Sequence, residues 1–259
     1  MLTRRNLMVG AVTSAVSGPA AAAVNGVLPL AGNQVVPAVQ KAAVLCIGIS
    51  QHAGGSYLPN AIADAELMAG TFSELGFNSY LMRDPTLDEL LYGLATFRTH
   101  LNGIDTAAIY VAGHGAFVGR QVHVFPTDVQ LSGPSLSNSV PENIFANTMS
   151  DTPRHKLLFL DCCRSEIPDK HPQAISSSMA LGGLFTLYAA QHGAAAYDGN
   201  LASGPFAASL STHMRVPGLS VDEIARRTRL DVLRATGGAQ IPWNTSSLMT
   251  EVVLNKPGM

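Results

Sequence analysis

The chain has 259 residues, a formal net charge of -2 and only 13% charged residues. That balance argues against a broad basic face for nucleic acid and against an acidic, self-repelling tail, and the length suffices for one large α/β core with no linker to divide it. Three cysteines, two of them adjacent, make a poor disulfide framework, and no Cys/His group has the paired spacing of a structural zinc site.

At the N-terminus, Thr3-Arg4-Arg5-Asn6-Leu7-Met8 leads into an Ala/Gly/Ser-rich segment ending in Ala20 to Ala23. This reads as a twin-arginine-like export signal, so residues 1–40 are expected to be a leader and the mature protein to be periplasmic or exported; without such a signal the protein stays cytoplasmic. Gly10, Ser17, Gly18 and Pro19 interrupt the segment. A stable membrane span, which needs about twenty predominantly apolar residues, is not expected there.

After a loose stretch with Pro29, Gly32 and Pro37, Ala43 to Ile49 is unbroken apolar sequence of strand length, as in a strand covered on both faces. Cys46 within it reads as a small core residue. Ala61, Ala65, Met68, Phe72 and Leu75 then recur at helical spacing over Asn60 to Leu75, Gly76 stops that helix, and Asn78 to Met82 forms a short strand. Thr86 and Glu89 make a capping-box pattern ahead of a second amphipathic helix reaching about His100, and Thr106 to Ala112 is another buried strand.

From Gly115 to Pro153 the pattern is irregular. Gln121 to Phe125 reads as a short strand or hairpin arm, Ser132 to Ser139 as a polar loop, and the whole as a surface excursion. Lys156 to Asp161 resumes the sheet, Leu184 to Ala190 offers another strand, and Pro205 to Met214 another helix. Ser220 with Glu223 caps a last helix ending near Gly237. The repeated alternation of strand and helix fixes the class as α/β.

Two chemical groups stand at the ends of buried strands. His114 sits in Gly113-His114-Gly115 after one, and Cys163 follows Leu157 to Cys162 in another. Open α/β sheets carry their reacting groups at the C-terminal ends of strands, where side chains project into a crevice, so the pair points to a cysteine hydrolase. Successive side chains of an extended segment face opposite ways, so only one of Cys162 and Cys163 can face that crevice. The remaining histidines, including His52, His123 and His155, read as surface or core residues.

His114 lies about fifty residues before a Cys followed by Arg, a separation associated with caspase-type enzymes. With Asn60, Asp64-Ala65 and the Leu75-Gly76-Phe77 helix end, Val124-Phe125-Pro126-Thr127-Asp128, and Gly237 to Trp243, the chain resembles a bacterial caspase-like protein close to metacaspases. The resemblance implies a caspase-like catalytic domain over residues 41–259, built on a mainly parallel six-stranded sheet with helices on both faces. It also implies a cysteine endopeptidase with a Cys/His dyad. The family pattern places the nucleophile directly before Arg or His, which selects Cys163 and leaves Cys162 as a support residue. Cys163 would attack the peptide carbonyl and His114 would protonate the leaving amine, while the backbone N–H groups of Gly115 and Cys163 hold the oxyanion. Gly115 is expected to let the substrate carbonyl approach closely.

Asp64 and Asp161 match metacaspase positions in the pocket for the side chain preceding the cleaved bond. Two carboxylates there imply protein or peptide substrates with Arg or Lys at that position. Such a preference would extend to Lys170, in the loop Glu166 to Ser178, as a point of self-cleavage. Arg164 departs from the His that follows the nucleophile in many metacaspases. No cofactor is required by the sequence. Some metacaspases need calcium, but no loop here has the regular spacing of oxygen ligands that would locate a site.

Two rival classes stand beside this reading. A catalytically inactive caspase-like binding or scaffold module has no chemical reason to keep both His114 and Cys163. A thiol redox protein would separate its cysteines by two residues, whereas Cys162 and Cys163 are adjacent and would make a strained bridge.

Overall fold

Strands whose two faces are both covered must be apolar throughout, and the sheet at the centre of this protein is made of such strands. The computed structural model describes residues 28–29, 41–52, 57–132, 135–150, 153–164, 166–167, 181–197 and 202–256. The twin-arginine segment and Lys170 lie outside the described residues. In chain order the first elements are β1 (Leu28–Pro29), β2 (Ala42–Gly48), α1 (Ala61–Glu74), β3 (Asn78–Arg83), α2 (Leu87–Thr99) and β4 (Thr106–Ala112). A middle segment follows, with β5 (Gly115–Val118), β6 (Gln121–Val124), β7 (Gln130–Ser132), β8 (Ser135–Ser137), β9 (Val140–Pro141) and α3 (Glu142–Thr148). The chain then runs through β10 (His155–Asp161), β11 (Glu166–Ile167), β12 (Leu184–Tyr188), α4 (Pro205–Met214), α5 (Val221–Ala235) and β13 (Trp243–Ser246).

The main sheet has the order β1-β3-β2-β4-β10-β12-β13. Neighbours from β3 to β12 pair in parallel, while β13 and the two-residue β1 pair antiparallel at the edges. Leaving out β1, this is the expected six-stranded, mainly parallel α/β sheet, with helices on both faces. Alternate residues of each strand supply two separate cores. Val44 and Cys46 of β2, Ala108 and Tyr110 of β4, and Leu157 and Phe159 of β10 pack beneath α1, α4 and α5. Leu45 and Ile47, Ile109 and Val111, and Leu158 and Leu160 face the other way, toward α2 and α3.

Local chemistry sets the helix ends. Thr86 Oγ1 accepts from Glu89 N–H and Glu89 Oε2 accepts from Thr86 N–H at 2.9 Å, closing the capping box that begins α2. Ser220 Oγ accepts from Glu223 N–H at the start of α5, and Gly76, at φ 83°, follows the end of α1.

The segment from Gly115 to Pro153 is more than a surface excursion. β5, β6 and β9 join β11 in a second, four-stranded sheet, and β8, inside the expected polar loop, pairs with β7 at its start. Val122, Val124 and Val140 are buried with Phe145, Ala146 and Met149 of the α3 region in the core on the α2 side. Strands of two to four residues and a seven-residue helix are too short to show a hydrophobic period, which is why their role escapes the sequence pattern.

Candidate active site

The register of the central sheet brings the candidate residues together. β4 and β10 pair in parallel from Thr106 with His155 to Ala112 with Asp161, and the residue numbers differ by 49 at every pair. Carried two positions beyond the ladder, the same offset sets His114 beside Cys163, on strands about 4.8 Å apart. Parity supplies the face. Ala112 and His114 on one strand, with Asp161 and Cys163 on the other, share the side of the sheet that α1 covers, and all four line one pocket of about 190 Å³. Cys162 points to the opposite side and is buried in the core under α2 and α3, as strand alternation requires.

All three cysteines are free. Burial pushes the Cys163 thiol up and the charge of Asp161 adds to that, while Sγ donates to the Ala196 carbonyl at 3.8 Å. Burial, and after it the neighbouring His52, holds the His114 imidazole down at about 4. Near neutral pH the two groups are therefore a thiol and a neutral imidazole, not an ion pair.

Gly115 is also required by packing. A Cβ there would lie 2.8 Å from the His123 carbonyl oxygen and 3.0 Å from Cys162 Sγ, so the missing side chain makes room for β6 and the core. Its backbone has a separate property. Phe125 N–H donates to His114 O, so Gly115 and Val124, one step along, form a non-hydrogen-bonded pair and the Gly115 N–H turns away from β6.

The two carboxylates converge on one wall of the pocket. Asp64 is only 3% exposed, in the first turn of α1, and its Oδ1 accepts from the N–H of Gly204, the N-cap of α4. Gly48 makes this position reachable, because a Cβ there would come within 2.7 Å of the Ala61 carbonyl and Ile62 Cα, and the first turn of α1 thus rests on the end of β2. Asp161 Oδ2 accepts from the Tyr110 hydroxyl at 2.7 Å. Burial, then Asp161 and Asp64, raises the Tyr110 phenol well above its ordinary range, which keeps it a donor. Leu58, Ala61, Ala196 and Tyr197 stand with the two carboxylates, and among the described residues no Lys or Arg lines the pocket. Small-molecule sites are typically about 300–1,000 Å³, so this pocket suits a single substrate side chain. A larger cavity of about 310 Å³, with Lys41, Asp105, Arg154 and Glu251 among its lining residues, lies at the opposite ends of the strands, remote from either thiol at the sheet's C-terminal edge.

Three supporting side chains are not recognisable from the sequence pattern. Gln240, fully buried, accepts from Tyr197 N–H at 2.9 Å and donates to the Ala189 carbonyl, pinning the Ala194–Tyr197 stretch against the end of β12. Arg164 turns inward. Its guanidinium stacks 4.1 Å from the Tyr188 ring and donates to the Ala190 carbonyl, while its N–H donates to Ala194 O. His52, expected to be an ordinary surface or core residue, is buried with its ring centroid 4.6 Å from that of His114. His123 and His155 fit the bland reading. His123 is buried against Ser139, and His155 bonds Thr106 and Thr250 at the far end of β10. Among the described residues no group of three or more His, Cys, Asp or Glu is placed to hold a metal ion. No helix among them is long and apolar enough to cross a membrane.

Comparison with curated proteins gave no match. The family model of the caspase domain, however, matches residues 41–254, from the residue before β2 to the C-terminal segment beyond β13. With a match of that extent over a sheet of this order, the chain belongs to the caspase-domain family of cysteine peptidases.

Proposed function

We propose that the protein is a cysteine endopeptidase that uses Cys163 and His114 and cleaves after Arg or Lys. The observation that carries this reading is the shared face: His114, Cys163, Asp64 and Asp161 line the same pocket. A basic side chain enters the pocket and its cation meets the two carboxylates, which sets the scissile carbonyl over Sγ. His114, neutral at rest, takes the thiol proton as Sγ bonds to the carbonyl carbon. The carbonyl electron pair becomes an oxyanion, which the N–H groups of Gly115 and Cys163 stabilise. On collapse, the C–N bond breaks and His114 gives its proton to the leaving amine. Water, deprotonated by His114, then adds to the thioester, and Cys163 leaves and recovers its proton.

A binding or scaffold role draws on one observation, the resting thiol and neutral imidazole, since neither group is pre-ionised. Labelling with an acyloxymethyl ketone peptide ending in Arg separates the two readings. The peptidase reading expects labelling at Cys163 alone, loss of labelling and of Arg-peptide hydrolysis in Cys163→Ala and His114→Ala at unchanged melting temperature, and most activity retained in Cys162→Ala. Full hydrolysis by purified Cys163→Ala would sink it.

A further inference from the structure

The ring of His52 lies edge-on to His114, with centroids 4.6 Å apart and planes inclined by 62°. It is placed there by a turn that Asp84 holds. Asp84, just past β3, adopts φ 46°, a left-handed conformation rare for a residue other than glycine, and its N–H donates to Gly48 O. From that position its Oδ1 accepts from the N–H groups of both Ser50 and Gln51, at 2.6 and 3.1 Å. Ser50 in turn accepts from Leu58 N–H through its carbonyl and from Ile62 N–H through Oγ. The chain leaving β2 is thus clamped between β3 and the start of α1, and the residue delivered by the clamp is His52.

His52 is only 8% exposed, and among the described residues neither ring nitrogen makes a well-formed hydrogen bond, although the Pro126 and Ile49 carbonyls lie near enough to favour its proton. A buried imidazole without a well-formed hydrogen bond costs stability, on the order of 1–3 kcal/mol for a buried polar group left wholly unpaired. A core position with no further role would be better filled by Phe or Leu. The charged and titratable groups facing it are His114, beyond β4, and Asp84, beyond β3, together with the carbonyls of Pro126 and Ile49.

We propose that His52 is a positioning residue for His114: its ring fixes the plane in which His114 addresses Cys163, and a proton on either ring opposes a proton on the other. The inference rests on the peptidase reading of His114 and Cys163. Burial lowers the proton affinity of His52, so near neutral pH both rings are uncharged, His114 stays available as a base, and only the edge-to-face contact acts. On acidification the pair accepts one proton more readily than two, and the coupling between the rings sets where His114 ceases to be a base.

The test combines turnover with a titration that does not depend on turnover. Wild type, His52→Phe and His52→Ala are compared by NMR titration of the ¹³C-labelled His114 ring and by kcat, KM and the pH profile on an Arg peptide, with melting temperature as a check on folding. His52→Phe keeps a ring in place and removes its charge. It is expected to fold, to keep kcat within a few fold, to move the His114 midpoint to higher pH and to carry the acid limb of kcat/KM upward with it. His52→Ala is expected to lower kcat about ten- to a hundredfold with KM little changed, since a misplaced reacting group is costly and the carboxylate wall is untouched. A His114 midpoint that stays fixed in His52→Phe would overturn the inference, as would kcat in folded His52→Ala equal to wild type. If no variant, wild type included, cleaves the peptide but the midpoint moves upward, the ring coupling stands and the peptidase reading falls.

Discussion

Asp161→Asn separates the two duties that the geometry assigns to one carboxylate. The substitution removes a negative charge from the pocket wall but leaves an oxygen that can accept from the Tyr110 hydroxyl, now bonded at 2.7 Å. Tyr110 is fully buried, so Asp161→Ala would strand that hydroxyl at about 1–3 kcal/mol, whereas Asn should change stability by less than about 1 kcal/mol. A hydrogen bond between charged groups is worth about 1.5–3 kcal/mol, and about 1.4 kcal/mol is tenfold. Asp161→Asn should therefore lower kcat/KM on an Arg peptide about ten- to a hundredfold. A citrulline peptide of the same shape, lacking the charge, should change by less than about threefold. The thiol should respond in the opposite sense. Burial and then Asp161 hold Cys163 protonated, so removing the charge should speed its alkylation by iodoacetamide at fixed pH. An unchanged ratio of Arg to citrulline hydrolysis would show that Asp161 does not meet the substrate's cation. Slower alkylation would show that its field does not oppose the thiolate.

Gly115→Ala should cost roughly 1–3 kcal/mol in thermal or urea unfolding, because the new Cβ would be 2.8 Å from the backbone oxygen of His123 and 3.0 Å from a fully packed thiol; wild-type stability would mean that β5 and β6 part readily. Glu142 gives a stability test tied to pH. Burial, against the opposing effects of Tyr188 and Arg164, lifts its carboxyl to about 7 from an ordinary value of 4.5, so between those values the folded state holds the extra proton and stability falls as pH rises. Glu142→Gln should match wild type near pH 4.5 and exceed it by roughly 1–3 kcal/mol at pH 8 in denaturant melts, and a constant difference across that range would show that the carboxyl titrates normally.

The parallel sheet was legible because its strands are buried on both sides. Thr106 to Ala112 and Pro205 to Met214 are found with the predicted bounds, since an unbroken apolar run and a proline at the first helical position mark themselves. His114 and Cys163 could be singled out from their places after such runs; alternation allowed only one of Cys162 and Cys163 to face the crevice, and the family resemblance selected Cys163. The chemistry arriving through turns was not legible. His52 is presented by a bend held by Asp84, more than thirty residues away in sequence, and nothing in Ser50-Gln51-His52 announces a neighbour at His114. Gln240 is the same kind of case, its value lying wholly in partners on Tyr197 and Ala189. Asp64 could be recognised as a carboxylate in a first helical turn, but its burial and its bond to Gly204 depend on how α4 docks on α1.

The constant offset along the β4–β10 ladder makes the interval between His114 and Cys163 a matter of pairing, not of chain length. Residues added at the Gly119-Arg120 turn of the β5–β6 hairpin would lengthen the sequence between the two groups without moving either. One residue added inside β10 would instead shift the strand's end by a step, turning Cys163 to the opposite face and bringing Cys162 to the place beside the imidazole. The adjacent cysteines thus behave as two reading frames of a single strand: the sheet decides which thiol is expressed at the surface, and indels outside β4 and β10 are the ones that leave that choice unchanged.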